Sequence, residues 1–154
     1  IGSGSIRVKQ FGPVVTLSDL VSCFPYDDSI QRFSITGAQL KRIFSHFMRS
    51  ENRDGEGECY QVNQGVEAVY LDKERKLLSL KIEGKIVEDR LNYTLGIQGY
   101  HFNNSAQYLN ITNEELLTSG KTKVLTTSAQ EVLKEFLRNN QNIGRKIEQR
   151  LVYV

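Results

Sequence analysis

Helical spacing of hydrophobic residues marks two segments of the chain. The first follows the capping-box sequence Thr36-Gly37-Ala38-Gln39, and the second runs from Thr127 to about Asn139. Residues three and four positions apart share one face of a helix, so each segment predicts an amphipathic helix, and we expect the second to pack on a sheet. The hydrophobic positions are Leu40, Ile43, Phe44 and Phe47 in the first segment and Ala129, Val132, Leu133, Phe136 and Leu137 in the second.

Two shorter helices are predicted from their start signals. Thr16-Leu17-Ser18-Asp19 places a hydroxyl and a carboxylate at capping-box spacing, and a helix follows to about Cys23 before Pro25 stops it. Another helix begins at Thr112 and runs to about Ser119, where Gly120 ends it.

Alternating or short apolar runs predict the strands. The charged turn between the runs at 66–71 and 77–82 indicates a hairpin. We expect the run at 93–97 to be a central strand because it carries few charges. Strands that come partly as hairpins and partly separated by helices are typical of the α+β class, with a mixed β-sheet covered by helices. The runs are residues 29–35, 60–62, 66–71, 77–82, 93–97 and 150–153.

Composition fits one ordinary domain over residues 1–154. Of the 154 residues, 39% are hydrophobic and 25% are charged, so folding buries enough apolar surface without disulfide or metal support. The two histidines and two cysteines are too few for a dinuclear metal centre or a zinc finger. We therefore expect no metal site and no catalytic residues in this chain, with His46 beside the apolar stripe of its amphipathic helix and Cys23 and Cys59 unbridged.

The charge pattern gives no sign of a nucleic-acid partner. The chain has 20 basic and 18 acidic residues, and they are interspersed rather than clustered as on a phosphate-binding surface. No apolar run approaches the roughly 20 residues that cross a bilayer. The start at Ile1-Gly2-Ser3-Gly4-Ser5 suggests a piece of a longer protein.

Aromatic residues outside the periodic positions are the first candidate binding groups. Tyr26 follows Pro25, and Tyr100 and Phe102 lie in a short polar segment. Such rings either stack on a planar ligand or fill the edge of the core, and the residues themselves leave both interpretations open. The segment 2–5 with Arg7 is likewise either an anion-binding nest or a flexible terminus.

A set of short motifs in a fixed order favours the binding interpretation of these residues. The motifs are Gly4-Ser5-Ile6-Arg7, Gly12-Pro13-Val14-Val15-Thr16-Leu17-Ser18-Asp19-Leu20, Phe24-Pro25-Tyr26, Thr36-Gly37-Ala38-Gln39-Leu40, Tyr60-Gln61-Val62 with Gly65, Tyr93-Thr94-Leu95, and Arg150-Leu151. The ordered set resembles the C-terminal domain of the 5′-nucleotidase family, which includes UDP-sugar hydrolases and cyclic-nucleotide phosphodiesterases. The resemblance covers nearly the whole chain and implies that domain's α+β fold.

The resemblance implies a division of labour within a hydrolase. A separate N-terminal metallophosphatase domain of the same polypeptide would hold two divalent metal ions, and this chain would bind a nucleotide or nucleotide-sugar substrate. Tyr26 and Tyr100 match the two aromatics that stack the base, and Arg7 matches the arginine that contacts phosphate or sugar oxygens. The resemblance also implies an extracytoplasmic location, whether secreted, periplasmic or associated with the cell wall.

Departures from the family pattern leave two functions open. Ala106 stands where the family has the aspartate that contacts ribose, and Asn103 or Asn104 is a neutral candidate to replace it. Asp27 and Asp28 follow Tyr26, where either carboxylate could accept from an exocyclic amine or repel a phosphate. The chain is then either a substrate-specificity domain or a non-catalytic binding or structural module that has lost nucleoside recognition.

Overall fold

The computed structural model describes residues 2–54, 59–118, 122–144 and 146–154. Helices and strands alternate irregularly along the chain, which confirms the α+β class. A 3₁₀ turn at Ser3–Ser5 precedes the first helix. The helices are α1 (Leu17–Cys23), α2 (Gly37–Phe47), α3 (Ser50–Arg53), α4 (Gly99–Asn103), α5 (Ser105–Leu109), α6 (Asn113–Thr118) and α7 (Ala129–Asn139). The strands are β1 (Ile30–Thr36), β2 (Val66–Leu71), β3 (Lys76–Ile82), β4 (Lys85–Ile86), β5 (Asn92–Gln98), β6 (Lys123–Thr126) and β7 (Leu151–Tyr153).

Capping boxes begin the two helices where the sequence predicts them. The Thr16 hydroxyl accepts from the Asp19 N–H, and the Asp19 carboxylate accepts from the Thr16 N–H at the start of α1. Thr36 and Gln39 make the same reciprocal pair at the start of α2. Each pair satisfies backbone donors that a helix leaves unpaired in its first turn, so the local sequence alone fixes these helix starts.

The strands form two sheets. In the first, β1 lies between β5 and β6 and is antiparallel to both. In the second, the order is β4-β3-β2-β7, with antiparallel neighbours except for the parallel pair β2 and β7. This second sheet is the mixed one, and its parallel pair joins residues more than 80 positions apart in the chain.

The core lies between helix α2 and the sheets. The apolar stripe of α2 is buried, as the spacing predicts, and it packs with the buried faces of β1, β2 and β3. The largest fully enclosed side chains include Tyr70, Phe33, Ile35 and Met48. These interactions give the chain one continuous hydrophobic cluster.

Helix α7 departs from the expectation that its stripe packs on a sheet. Its main contact is with α1, and Val132 and Phe136 keep 46% and 52% of their surface exposed. Helical spacing identifies an apolar face but carries no information about what covers it, and here only Ala129 of the stripe is buried.

Two strand expectations also differ from the structure. Strand β5 lies at the edge of its sheet rather than at the centre, where β1 lies instead. In the segment 60–62, only Tyr60 makes a β-bridge, and its partner is Gly2. The end expected for the sixth helix at Ser119-Gly120 lies outside the described residues.

Candidate functional site

Arg7 and Tyr26, both predicted to bind substrate, contact each other. The Arg7 Nη2 donates a hydrogen bond of 2.9 Å to the Tyr26 hydroxyl, and the guanidinium carbon lies 5.2 Å from the ring centroid. The backbone N–H of Arg7 donates to the carbonyl of Cys23 at 2.7 Å, which ties this strand-like segment to the end of α1. Tyr26 is 54% exposed, so one exposed ring and one cation are presented together at the surface.

The N-terminal segment before Arg7 is held by the loop at Cys59 and Tyr60. The Ser3 N–H donates to the Cys59 carbonyl at 2.9 Å, and the Cys59 N–H donates to the Ser3 hydroxyl at 3.1 Å. These two hydrogen bonds argue against the interpretation of this segment as a flexible terminus. The Ser3 amide is already used by Cys59, so it is not available to an anion.

Asp28 joins the loop after α1 to the segment that carries Tyr100. One carboxylate oxygen accepts from the Tyr100 N–H at 2.6 Å, and the other accepts from the Ser29 N–H at 2.8 Å. The Gly99 N–H donates to the Ser29 carbonyl at 2.9 Å. A Cβ at Gly99 would lie 2.5 Å from the Asp28 carboxylate, so the close approach requires glycine at this position.

The ring of Tyr100 belongs to an aromatic group at the surface. Its centroid lies 5.8 Å from that of Tyr108, and the two hydroxyl oxygens are 3.2 Å apart. Buried His101 meets the Tyr100 ring edge-on at 5.4 Å. Tyr100 keeps 48% of its surface exposed, so part of a firmly held ring remains open to a ligand.

Asp27 holds the beginning of α7. Its carboxylate accepts from the Ser128 hydroxyl at 2.8 Å and from the Gln130 N–H at 3.2 Å. The Gln130 side-chain amide donates to the Phe24 carbonyl at 2.8 Å. The loop that carries Tyr26 is thus fixed by a helix more than 100 residues later in the chain.

Asn103 and Asn104 lie at the junction of α4 and α5. The Asn104 side-chain amide donates to the Tyr100 carbonyl at 2.8 Å, so this residue supports the Tyr100 turn. Asn103 is exposed on the last turn of α4, three positions after Tyr100. Ala106, which replaces the family aspartate, is exposed at the beginning of α5.

The structure therefore places four of the predicted site residues in two hydrogen-bonded groups. Arg7 belongs with Tyr26, Asn104 belongs with Tyr100, and the backbone of 26–28 connects the groups through the Asp28 carboxylate. From the sequence, Asp28 was a candidate for contact with the ligand. In the structure its carboxylate accepts from the backbone N–H groups of Ser29 and Tyr100. Sequence reasoning missed Ser128 and Gln130 altogether, although Ser128-Ala129-Gln130-Glu131 has the spacing of a helix start.

The described part of the chain contains neither a cluster of metal ligands nor a membrane-spanning helix. Among these residues, no three His, Cys, Asp or Glu side chains come together as a metal-ion site. Cys23 is buried, Cys59 is partly buried, and neither forms a disulfide. No helix within the described ranges has the length and apolar character needed to span a membrane.

His46 lies in the last turn of α2 and is partly buried beside the apolar stripe, where the sequence placed it. Its Nε2 is 2.9 Å from the Gln107 carbonyl oxygen and 2.8 Å from Arg49 Nη2. Partial burial, and to a lesser degree the Arg49 charge, lowers the pKa of His46 below its ordinary value. These contacts join α2 to α5 and give the residue a structural role.

Solved structures with the same fold include three longer proteins. A 5′-nucleotidase precursor from Thermus thermophilus superposes with a TM-score of 0.68 at 14% identity, over 91% of this chain and 28% of that one. An NAD nucleotidase from Haemophilus influenzae gives 0.69 at 16% identity, over 99% of this chain and 27% of that one. A Thermus thermophilus sulfate thiohydrolase gives 0.62 at 16% identity, over 92% and 25%.

The similar structures are thus enzymes about four times as long as the matched region, and at these identities they establish the fold. A comparison with curated protein sequences gave no significant match. The family model described as the 5′-nucleotidase C-terminal domain matches residues 1–114, which include the site residues from Arg7 to Asn104. The chain belongs to the family of 5′-nucleotidase C-terminal domains.

Proposed function

We propose that the chain is the substrate-recognition domain of a 5′-nucleotidase-type phosphoesterase that acts on a nucleotide or nucleotide-sugar. The observation that carries the proposal is the pair of half-exposed tyrosines, Tyr26 and Tyr100, linked by Asp28, which lies two residues after Tyr26 and accepts from the Tyr100 N–H. Both occupy positions where the family resemblance implies base-stacking aromatics. In this proposal the base stacks on both rings and leaves the phosphate end exposed.

Arg7 supplies the charge that a nucleotide needs beside the base. Its guanidinium has five N–H donors in a planar fork, and one of them already points to the Tyr26 hydroxyl. The remaining donors suit phosphate or ribose oxygens close to the ring. The hydrogen bond to Tyr26 holds the long arginine side chain in place, which lowers the conformational entropy that binding would otherwise cost.

The neighbouring polar residues define which contacts remain for the sugar. Asp27 and Asp28 are engaged with Ser128, Gln130, Ser29 and Tyr100, so we assign them to positioning the rings rather than to direct contact with the base. Exposed Asn103 is the better candidate for a neutral sugar contact, because Asn104 donates to the Tyr100 carbonyl. A neutral amide at this place favours a substrate whose ribose is bound less tightly than in enzymes with an aspartate.

The hydrolytic step belongs to another part of the polypeptide in this proposal. The chain spans roughly a quarter of the similar structures, which leaves room for an N-terminal metallophosphatase domain. Two divalent metal ions held there would supply an activated water and neutralise charge on the phosphate. The family resemblance further suggests an extracytoplasmic protein.

The test is hydrolysis kinetics of the complete polypeptide on nucleoside monophosphates and nucleotide-sugars. Stacking on one aromatic ring is worth roughly 1–3 kcal/mol, so Tyr26→Ala and Tyr100→Ala should each raise KM about 5- to 150-fold. Tyr26→Phe keeps the ring and loses the hydrogen bond to Arg7, so it should raise KM much less than Tyr26→Ala. Tyr93→Phe, on a strand that lies outside the site, serves as the matched control. An unchanged KM in the double alanine variant would refute the stacking role.

Ala106 favours the second candidate, a non-catalytic binding or structural module. That function predicts no hydrolysis by the complete polypeptide and no thermal stabilisation by any nucleoside, nucleotide or nucleotide-sugar. Saturable stabilisation that disappears in the double alanine variant would exclude it.

A further inference from the structure

A cavity of about 440 Å³ lies between the two sheets, and its lining residues do not include Arg7, Tyr26 or Tyr100. One wall is the apolar face of α2, and the opposite wall comes from Val66, Ile82 and the residues 94–98 of the edge strand β5. Exposed Gln61, Asn63, Thr94 and Gly96 are among its lining residues, so it opens to solvent on that side. Its volume lies in the range of small-molecule sites, roughly 300–1,000 Å³.

Most of the cavity lining is apolar, and much of it is aromatic. Phe44 and Phe47 pack at 4.7 Å between ring centroids, Phe47 lies 5.0 Å from Tyr60, and Tyr60 meets His101 edge-on at 5.4 Å. No Asp, Glu, Lys or Arg lines the cavity in the described part of the chain. Burying a phosphate or carboxylate without a counter-charge is costly, so the cavity suits a neutral ligand with a flat ring.

One polar group in this lining is left without a partner. The side chain of Gln98 is 4% exposed, and its Oε1 is buried with no hydrogen-bond partner. Buried amide oxygens are almost always paired, because an unpaired acceptor loses its hydration and gains nothing. A ligand that brings one N–H or O–H donor into the cavity would satisfy this oxygen.

We propose that the cavity is a second small-molecule site, for a neutral bicyclic or similarly sized aromatic compound with one hydrogen-bond donor that binds Gln98 Oε1. This cavity differs in ligand chemistry from the site of Arg7, Tyr26 and Tyr100. Its lining offers aromatic walls and a hydrogen-bond acceptor, but no arginine or lysine for a phosphate. Gln98 directly precedes Gly99 and Tyr100 at the end of β5, so an occupied cavity would adjoin the Tyr100 turn.

Indole and benzothiophene are matched probes, since they share a shape and differ in the N–H donor. Binding to the 154-residue chain is measured by protein-observed NMR titration. Indole should bind saturably and more tightly than benzothiophene. Gln98→Leu should weaken indole about 3- to 10-fold, the range for one neutral hydrogen bond, and leave benzothiophene unchanged or tighter. Gln107→Leu, at an exposed position on α5, is the control and should change neither.

A second variant tests the location independently of Gln98. Val62→Phe adds volume at the cavity wall and should weaken both probes, while thermal unfolding confirms that each variant is folded. The proposal is overturned if neither probe binds, if Gln98→Leu leaves the preference for indole intact, or if Val62→Phe has no effect. Displacement of indole by adenosine would place the probe at the tyrosines and would also overturn it. Failure of both probes to bind the complete polypeptide would also overturn the proposal, because another segment would then cover this face.

Discussion

Replacing Asp28 by alanine is the most informative perturbation of the candidate site. Its carboxylate accepts from the Tyr100 N–H at 2.6 Å and from the Ser29 N–H at 2.8 Å, so one side chain holds residues 71 positions apart. Hydrogen bonds to a charged group contribute about 1.5–3 kcal/mol each when buried. Asp28 is half-buried, and water can replace part of both bonds. We therefore expect a total loss of about 2 kcal/mol in the free energy of unfolding.

For a domain of this size, such a loss lowers Tm by about 4–8 °C. Urea unfolding followed by circular dichroism measures the free energy directly. Asp28→Asn keeps an acceptor oxygen and loses the charge, so it should lie between wild type and Asp28→Ala. Asp89→Ala is the matched control, because Asp89 forms a surface ion pair with Lys41 that contributes less than about 1 kcal/mol to stability.

The same substitution also tests the site. Loss of the Asp28 bond frees the Tyr100 backbone, so KM of the complete polypeptide should rise. The assay is run at a temperature at which the variant is still folded. Gly99→Ala should reproduce both effects, because its Cβ would lie 2.5 Å from the Asp28 carboxylate. The reasoning is refuted if Asp28→Ala is as stable as Asp89→Ala, or if it loses stability while KM stays the same.

Two further substitutions test the packing and the charge state. Gly37→Ala would place a Cβ 2.1 Å from the Glu88 carbonyl oxygen, so it should lower the free energy of unfolding by about 1–3 kcal/mol. Gly144→Ala is the control, because a Cβ there has open space and should leave stability unchanged. Equal stabilities of the two variants would contradict this expectation. His46 has a lowered pKa in the folded chain, so the unfolded chain binds its proton more readily and stability should fall as pH drops below about 6.5. Urea unfolding at pH 7.5 and 5.5 should show a smaller pH effect in His46→Gln, and an identical effect would argue against the assignment.

Local sequence was sufficient for the starts of α1 and α2 and for the buried face of α2, but not for the short helices α3, α4 and α5. Thr16 with Asp19, and Thr36 with Gln39, satisfy backbone donors within four residues, so no distant part of the chain is needed. The hairpin of β2 and β3 was also predictable, because a charged turn separates two apolar runs. These features depend on neighbours in the chain, which a single sequence contains.

Tertiary contacts decided the environment of α7 and the place of β5. Both have the apolar pattern expected of buried elements, yet α7 packs mainly on α1 with two large side chains half-exposed, and β5 is an edge strand. Periodicity reports which residues share a face. It does not report which other element competes successfully for that face.

The same distinction between local sequence and tertiary contacts applies to the candidate site. The sequence by itself determined the family motifs, the absence of enough histidines and cysteines for a dinuclear centre, and the choice of Arg7, Tyr26 and Tyr100 as candidates. Only the tertiary structure decided that Arg7 lies on Tyr26, that Asp28 reaches the Tyr100 amide, and that Asp27 holds the start of α7. The physical reason is that hydrogen bonds between residues 19 to 103 positions apart depend on chain folding, whereas motif and composition do not.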